Sequence, residues 1–159
     1  VVGGTLAWLT DRTAEVKNTF TVGDINIGLT ETTADYKMVP GNTIAKDPTV
    51  TVKANSEACW LFVQVTESTN LKDFITYAIA EGWTALPSVD GVYYREVSAS
   101  DADQTFPVLA GNAVTVKNTV TKEMLTAKDF ANPTLTFKAY AIQKAHFDTP
   151  AAAWAEVSK

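Results

Sequence analysis

The sequence predicts an all-β protein with one or two short helices, built as a jelly-roll-like β-sandwich with an N-terminal donor strand. Three observations carry this. Threonine occupies 23 of 159 positions, and with abundant valine it supplies β-branched side chains that suit a pleated surface. About eight strand-like runs follow one another at short spacing, divided by Gly, Pro, Asn and Asp turns. Hydrophobic residues make up 46% and charged residues 19% of the chain. No Gly/Pro/Ser-rich linker divides it, so residues 1–159 read as one domain with a full core.

The first element is the oddest. Val1, Val2, Gly3, Gly4, Thr5, Leu6, Ala7, Trp8 and Leu9 form an uncharged, largely apolar strip. Chain ends are normally polar and frayed unless something ties them down. The strip is too short for a membrane-spanning helix, which needs roughly 20 apolar residues. Its valines and threonine favour an extended chain and its glycines weaken a helix. Such a strand must pack into its own domain or into a groove elsewhere, and the second option makes the chain a polymer subunit.

The body follows in order. Thr19-Phe20-Thr21-Val22 alternates with apolar residues on even positions, then Ile25, Ile27 and Leu29 alternate on odd ones. The phase flip at Gly23-Asp24 is what a bulge or bend produces. Pro40-Gly41-Asn42 is a turn before the strand Thr49–Lys53, and Ala54-Asn55-Ser56 is another. Residues 58–65 are apolar on both faces, the mark of a central, doubly covered strand. Leu71, Phe74, Ile75 and Ala78 recur at helical spacing, with Asn70 as cap and Gly82 as stop, predicting a short helix over 70–80.

Asp90-Gly91 predicts a hairpin joining Trp83–Val89 to Val92–Val97. Gly111-Asn112 precedes Val114–Lys117, in a faint echo of Gly41-Asn42 before Thr49–Lys53. Two such turn-plus-strand units fit a two-sheet sandwich. Leu135–Gln143 is a long last strand, and Thr149-Pro150 opens a closing helical turn.

The chemistry-bearing residues are sparse. A net charge of −5 without a basic cluster disfavours nucleic acid. The single cysteine, Cys59, lies in an apolar run without a cationic neighbour and reads as a buried thiol. The single histidine, His146, has no second histidine or cysteine nearby, so neither a zinc site nor a Ser-His pairing forms from sequence. Asp101-Ala102-Asp103 beside Ser98 and Ser100 offers oxygens to a hard cation, but reads better as a solvated turn. Glu31–Asp35 reads as a loop. Tyr93 and Tyr94 face opposite sides of one strand, and an exposed tyrosine can stack on a sugar. No catalytic residue, metal ligand or cofactor is predicted.

Gly3–Asp11, followed by Asn18–Ile27, resembles the start of TasA/camelysin-family proteins. The segment Val39–Val50, a proline-glycine turn leading into Lys46-Asp47, matches a second pattern of that family. Phe137–Gln143, ending in Ala-x-Gln, looks like its last strand. Residues 66–130 carry no matching motif. The resemblance implies a secreted, extracellular or cell-surface subunit of a biofilm-matrix filament. It polymerises on itself, with other matrix components as further partners, and residues 1–9 of one copy complete a sheet of the next. In related sequences the Gly-Gly-Thr-x-Ala stretch resembles the end of a signal peptide cleaved near Ala7. The donor strand therefore starts at Val1 or near Trp8, and residues 1–7 are expected to be ordered and functional. Camelysin relatives have been described as metalloproteases, but no zinc motif supports that activity here. The alternatives are a carbohydrate-binding or adhesive module using Tyr93 or Tyr94, and behind it a metal-dependent protease.

Overall fold

The structure, a computed structural model, describes residues 8–10, 15–16, 25–32 and 35–159. It is all-β with short helices. Thirteen strands are described: β1 (Trp8–Thr10), β2 (Glu15–Val16), β3 (Ile27–Thr30), β4 (Asp35–Lys37), β5 (Thr43–Ala45), β6 (Thr49–Val52), β7 (Cys59–Glu67), β8 (Ile75–Thr76), β9 (Thr84–Ala85), β10 (Val92–Val97), β11 (Gln104–Pro107), β12 (Ala113–Val116) and β13 (Leu135–Gln143). The helices are α1 (Leu71–Phe74), α2 (Lys122–Leu125) and α3 (Pro150–Val157).

The strands pair as a five-stranded sheet β2-β13-β7-β10-β9, two three-stranded sheets β11-β6-β3 and β5-β12-β8, and the ribbon β1-β4. All pairings are antiparallel except β2 on β13.

The long strands explain their own composition. Odd positions of β7 (Leu61, Val63, Val65) join Phe137, Ala139 and Ala141 of β13 in the main core. Opposite them lie Leu29, Val50 and Val52 from one small sheet and Ile44, Val114 and Val116 from the other. Even positions (Trp60, Phe62) join Tyr140 and Ile142 under Ala153 and Val157 of α3. The central sheet is thus covered by strands on one face and a helix on the other, which is why residues 58–65 read as apolar throughout. Each fully buried large side chain there contributes on the order of 2 kcal/mol.

Smaller elements refine the sequence reading. The helix expected over 70–80 is a single turn, α1, because Ile75 turns extended (φ −127°, ψ 141°) and β8 pairs with Thr115 and Val116 of β12. One turn cannot propagate against that ladder. Asn70 sits at the cap position without capping. Its Nδ2 donates to the Ala131 carbonyl at 2.7 Å, and its Oδ1 accepts from the Ser68 hydroxyl at 2.7 Å.

The first arm of the Asp90-Gly91 hairpin is likewise short. Only Thr84 and Ala85 pair with Tyr94 and Tyr93, and Pro87 lacks the N–H that would extend the ladder. The two echoed strands β6 and β12 fall in different three-stranded sheets, and both alternate half-buried with buried residues. Thr149 caps α3 as read from sequence, its Oγ1 accepting from the Ala152 N–H at 3.2 Å.

Candidate functional site

Of the nine residues read as a donor strand, Val1, Val2, Gly3, Gly4, Thr5, Leu6 and Ala7 lie outside the described residues. Trp8 and Leu9 belong to β1, whose backbone pairs with Lys37 and Tyr36 of the same chain. This ribbon has three register pairs and, among the described residues, joins no other sheet. Two-stranded ribbons of this size are marginal on their own.

β13 lies between two strands of its sheet. One side of this strand is fully occupied by β7, in register from Leu135↔Glu67 to Gln143↔Cys59. On the other side, among the described residues, β2 covers two of the nine positions, with Glu15 and Val16 running parallel beside Lys138 and Ala139.

The connection that follows the Pro40-Gly41 turn and β5 is built around charge. The connection between β5 and β6 carries Lys46 and Asp47, and each grips the segment leaving β3. Lys46 Nζ lies 2.6 Å from Glu31 Oε2, both side chains being 3% exposed. The Asp47 carboxylate accepts from the Thr32 N–H at 2.8 Å and from its hydroxyl at 2.9 Å. The Thr32 backbone bond, with that hydroxyl, holds the Asp47 carboxyl below its ordinary range. Glu31, read as part of a loop, is therefore one half of a buried ion pair. The adjacent opposite charges Lys46-Asp47 were the available signal, but sequence does not show what faces them.

The remaining candidates resolve as follows. Cys59 is fully buried, and burial pushes its thiol up to about 12. His146 is exposed on a 3-10 turn after β13. Asp103 accepts from the Ala54 N–H at 2.8 Å and Ser100 from the Ala102 N–H at 3.1 Å, so these oxygens tie a turn together. Among the described residues, no group of three or more His, Cys, Asp or Glu side chains is placed to hold a metal ion. Nor is any described helix long and apolar enough to cross a membrane.

The tyrosine pair is split by the sheet. Tyr94 packs edge-on against Trp60 on the α3 side, with ring centroids 6.1 Å apart. Tyr93 packs on the main core from the other face, in company with Tyr77. Tyr77 Oη donates to Glu67 Oε2 at 2.5 Å. Sequence reasoning missed Tyr77 and Glu67, because ten positions and a helical turn separate them.

Compared with protein-family models, curated proteins and solved structures, the chain matches none.

Proposed function

We propose that this protein is a structural rather than catalytic subunit: a jelly-roll-like sandwich that assembles head to tail into an extracellular or cell-surface filament. The segment 1–9 of one copy adds a strand to a sheet edge of the next. The observation that carries this reading is the small β1–β4 ribbon, in which Trp8 and Leu9 of that segment are held with Thr10 by three register pairs. Three register pairs are a modest loss if Trp8–Thr10 leaves for a longer edge.

An added strand gains main-chain hydrogen bonds and seats alternate side chains in pockets. Burying Leu6 and Trp8 would each contribute on the order of 2 kcal/mol. A head-to-tail contact of this kind does not close on itself, so it grows a filament.

Deleting residues 1–9 tests the proposal. The truncated chain should keep the β-type circular dichroism of the full chain yet remain monomeric in sedimentation, with no fibres in electron micrographs. Fibres forming unchanged would overturn the reading. Casein hydrolysis abolished by a chelator would instead favour the protease.

A further inference from the structure

Two adjoining cavities of 460 and 430 Å³ open where the end of β7 and the start of β10 face β8. They share three lining residues: Glu67, Tyr77 and Tyr93. Each volume falls within the roughly 300–1,000 Å³ of small-molecule sites. Both tyrosines are half-buried, each with one side packed on the core and the rest of the ring left to the cleft. Glu67 is exposed, and its Oε2 is fixed by the Tyr77 hydroxyl at 2.5 Å. Burial, then the Glu67 hydrogen bond and charge, push the Tyr77 phenol up, so it stays protonated and keeps the carboxylate oriented at neutral pH.

The lining mixes chemistry in a way that selects a ligand class. Lys72 and Lys117 line one cavity and Asp90 the other, with Glu67 shared, so charges of both signs surround the two aromatic rings. An anion would meet Glu67 and Asp90, and a cation would meet Lys72 and Lys117. A neutral sugar meets neither penalty. Its C–H face lies on a tyrosine ring, and its hydroxyls pair with carboxylates that accept and ammonium groups that donate.

We propose that this cleft is a binding site for a neutral oligosaccharide, with Tyr93 and Tyr77 as stacking platforms and Glu67 as the hydroxyl acceptor. The site lies on the opposite face of β10 from Tyr94 and, among the described residues, is lined by neither Trp8 nor Leu9. Polymerisation and sugar binding are therefore separable properties.

The test is isothermal titration of the full chain with cellotetraose, chitotetraose and mannotetraose, each to about 10 mM, the regime of weak single-site binding. At least one should bind saturably, whether or not fibres form. Tyr93→Ala should weaken that binding about tenfold, the loss of one stacking contact. Tyr93→Phe, which keeps the ring, should bind as the parent does, and so should Tyr94→Ala on the other face. Because Tyr93 also packs on the core, Glu67→Gln provides a second probe, expected to weaken binding several-fold without disturbing the core. The proposal is overturned if none of the three sugars binds saturably, or if Glu67→Gln and Tyr93→Ala both bind like the parent.

Discussion

Lys46 and Glu31 form an ion pair shut away from water, 2.6 Å between Nζ and Oε2, at the junction of β3 and the β5–β6 connection. Lys46 also lies 5.3 Å from the centre of the Phe137 ring, so the ammonium is held against the central sheet. A buried pair of this kind is fragile to loss of one member, because the other is left charged in a poorly solvating site. Lys46→Met should destabilise the protein by about 3–5 kcal/mol in urea unfolding. The double variant Lys46→Met/Glu31→Leu should recover most of that loss, since an apolar pair of similar volume is often neutral. A single variant as stable as the parent would show that the pair is not desolvated.

The neighbouring Asp47 links the same junction to pH. Its carboxyl is held below the ordinary range chiefly by the Thr32 backbone N–H, opposed in part by burial. A folded-state pKa below the unfolded value means that Asp47 contributes stability above the ordinary carboxylate range. That contribution is lost as pH falls through the folded value. Asp47→Ala should therefore melt below the parent at pH 7, and the gap should narrow as the pH is lowered beneath about 4. A gap constant from pH 7 to pH 3 would remove the carboxylate from the account. Asp47 is only partly buried, so solvent screens the interaction and the effect should be small.

Cys59 extends the argument to the alkaline side. Its side chain is 0% exposed between β13 and β10, and desolvation raises the thiol from 9.0 to about 12. The folded chain therefore holds the proton after the unfolded chain has released it. Stability should be unaffected by this group below pH 9 and fall between 9 and 12. The same burial predicts that a thiol-specific disulfide reagent at pH 8 modifies the native protein only at the rate of unfolding, and the urea-unfolded chain at once. Rapid stoichiometric modification of the native protein would contradict the placement of β7.

Legibility in the sequence followed the range of the forces involved. β7 could be read because burial on both faces leaves a continuous apolar run, and no tertiary knowledge is needed to see it. The α3 cap could be read because Thr149 and Pro150 act within three residues. The 70–80 helix was over-read for the converse reason: Ile75 has helical spacing from Leu71, but its partner Val116 is remote in sequence and wins. Glu31 and Glu67 were missed on the same ground. Each owes its role to a residue 15 or 10 positions away, brought in by strand pairing rather than by local pattern. The split between Tyr93 and Tyr94 was legible from the period of a strand, whereas the company each keeps was not.

Gly82 and Arg95 give the most discriminating test of the side-chain arrangement. The Arg95 guanidinium lies 4.2 Å from the Phe106 ring centre and 5.1 Å from that of Trp83, bridging the five-stranded sheet to β11. Trp83 Nε1 in turn donates to the Pro107 carbonyl at 2.9 Å. This stack closes over Gly82, whose φ is +96° and whose missing Cβ would stand 2.5 Å from Arg95 Nη2. Alanine there meets two separate penalties: a backbone conformation that L-residues avoid, and a collision with the guanidinium. Gly82→Ala should destabilise the protein by about 2 kcal/mol or more. Arg95→Ala should lose a cation–π contribution of about 1–2 kcal/mol together with stem packing.

The two losses should not add. Once Arg95 is truncated the collision is gone, and Gly82→Ala then carries only the backbone strain. A double-mutant cycle by chemical denaturation, with Trp83 fluorescence as the local probe, should show the Gly82→Ala loss reduced by at least about 0.5 kcal/mol in the Arg95→Ala background. Strict additivity would mean that Arg95 does not lie over Gly82.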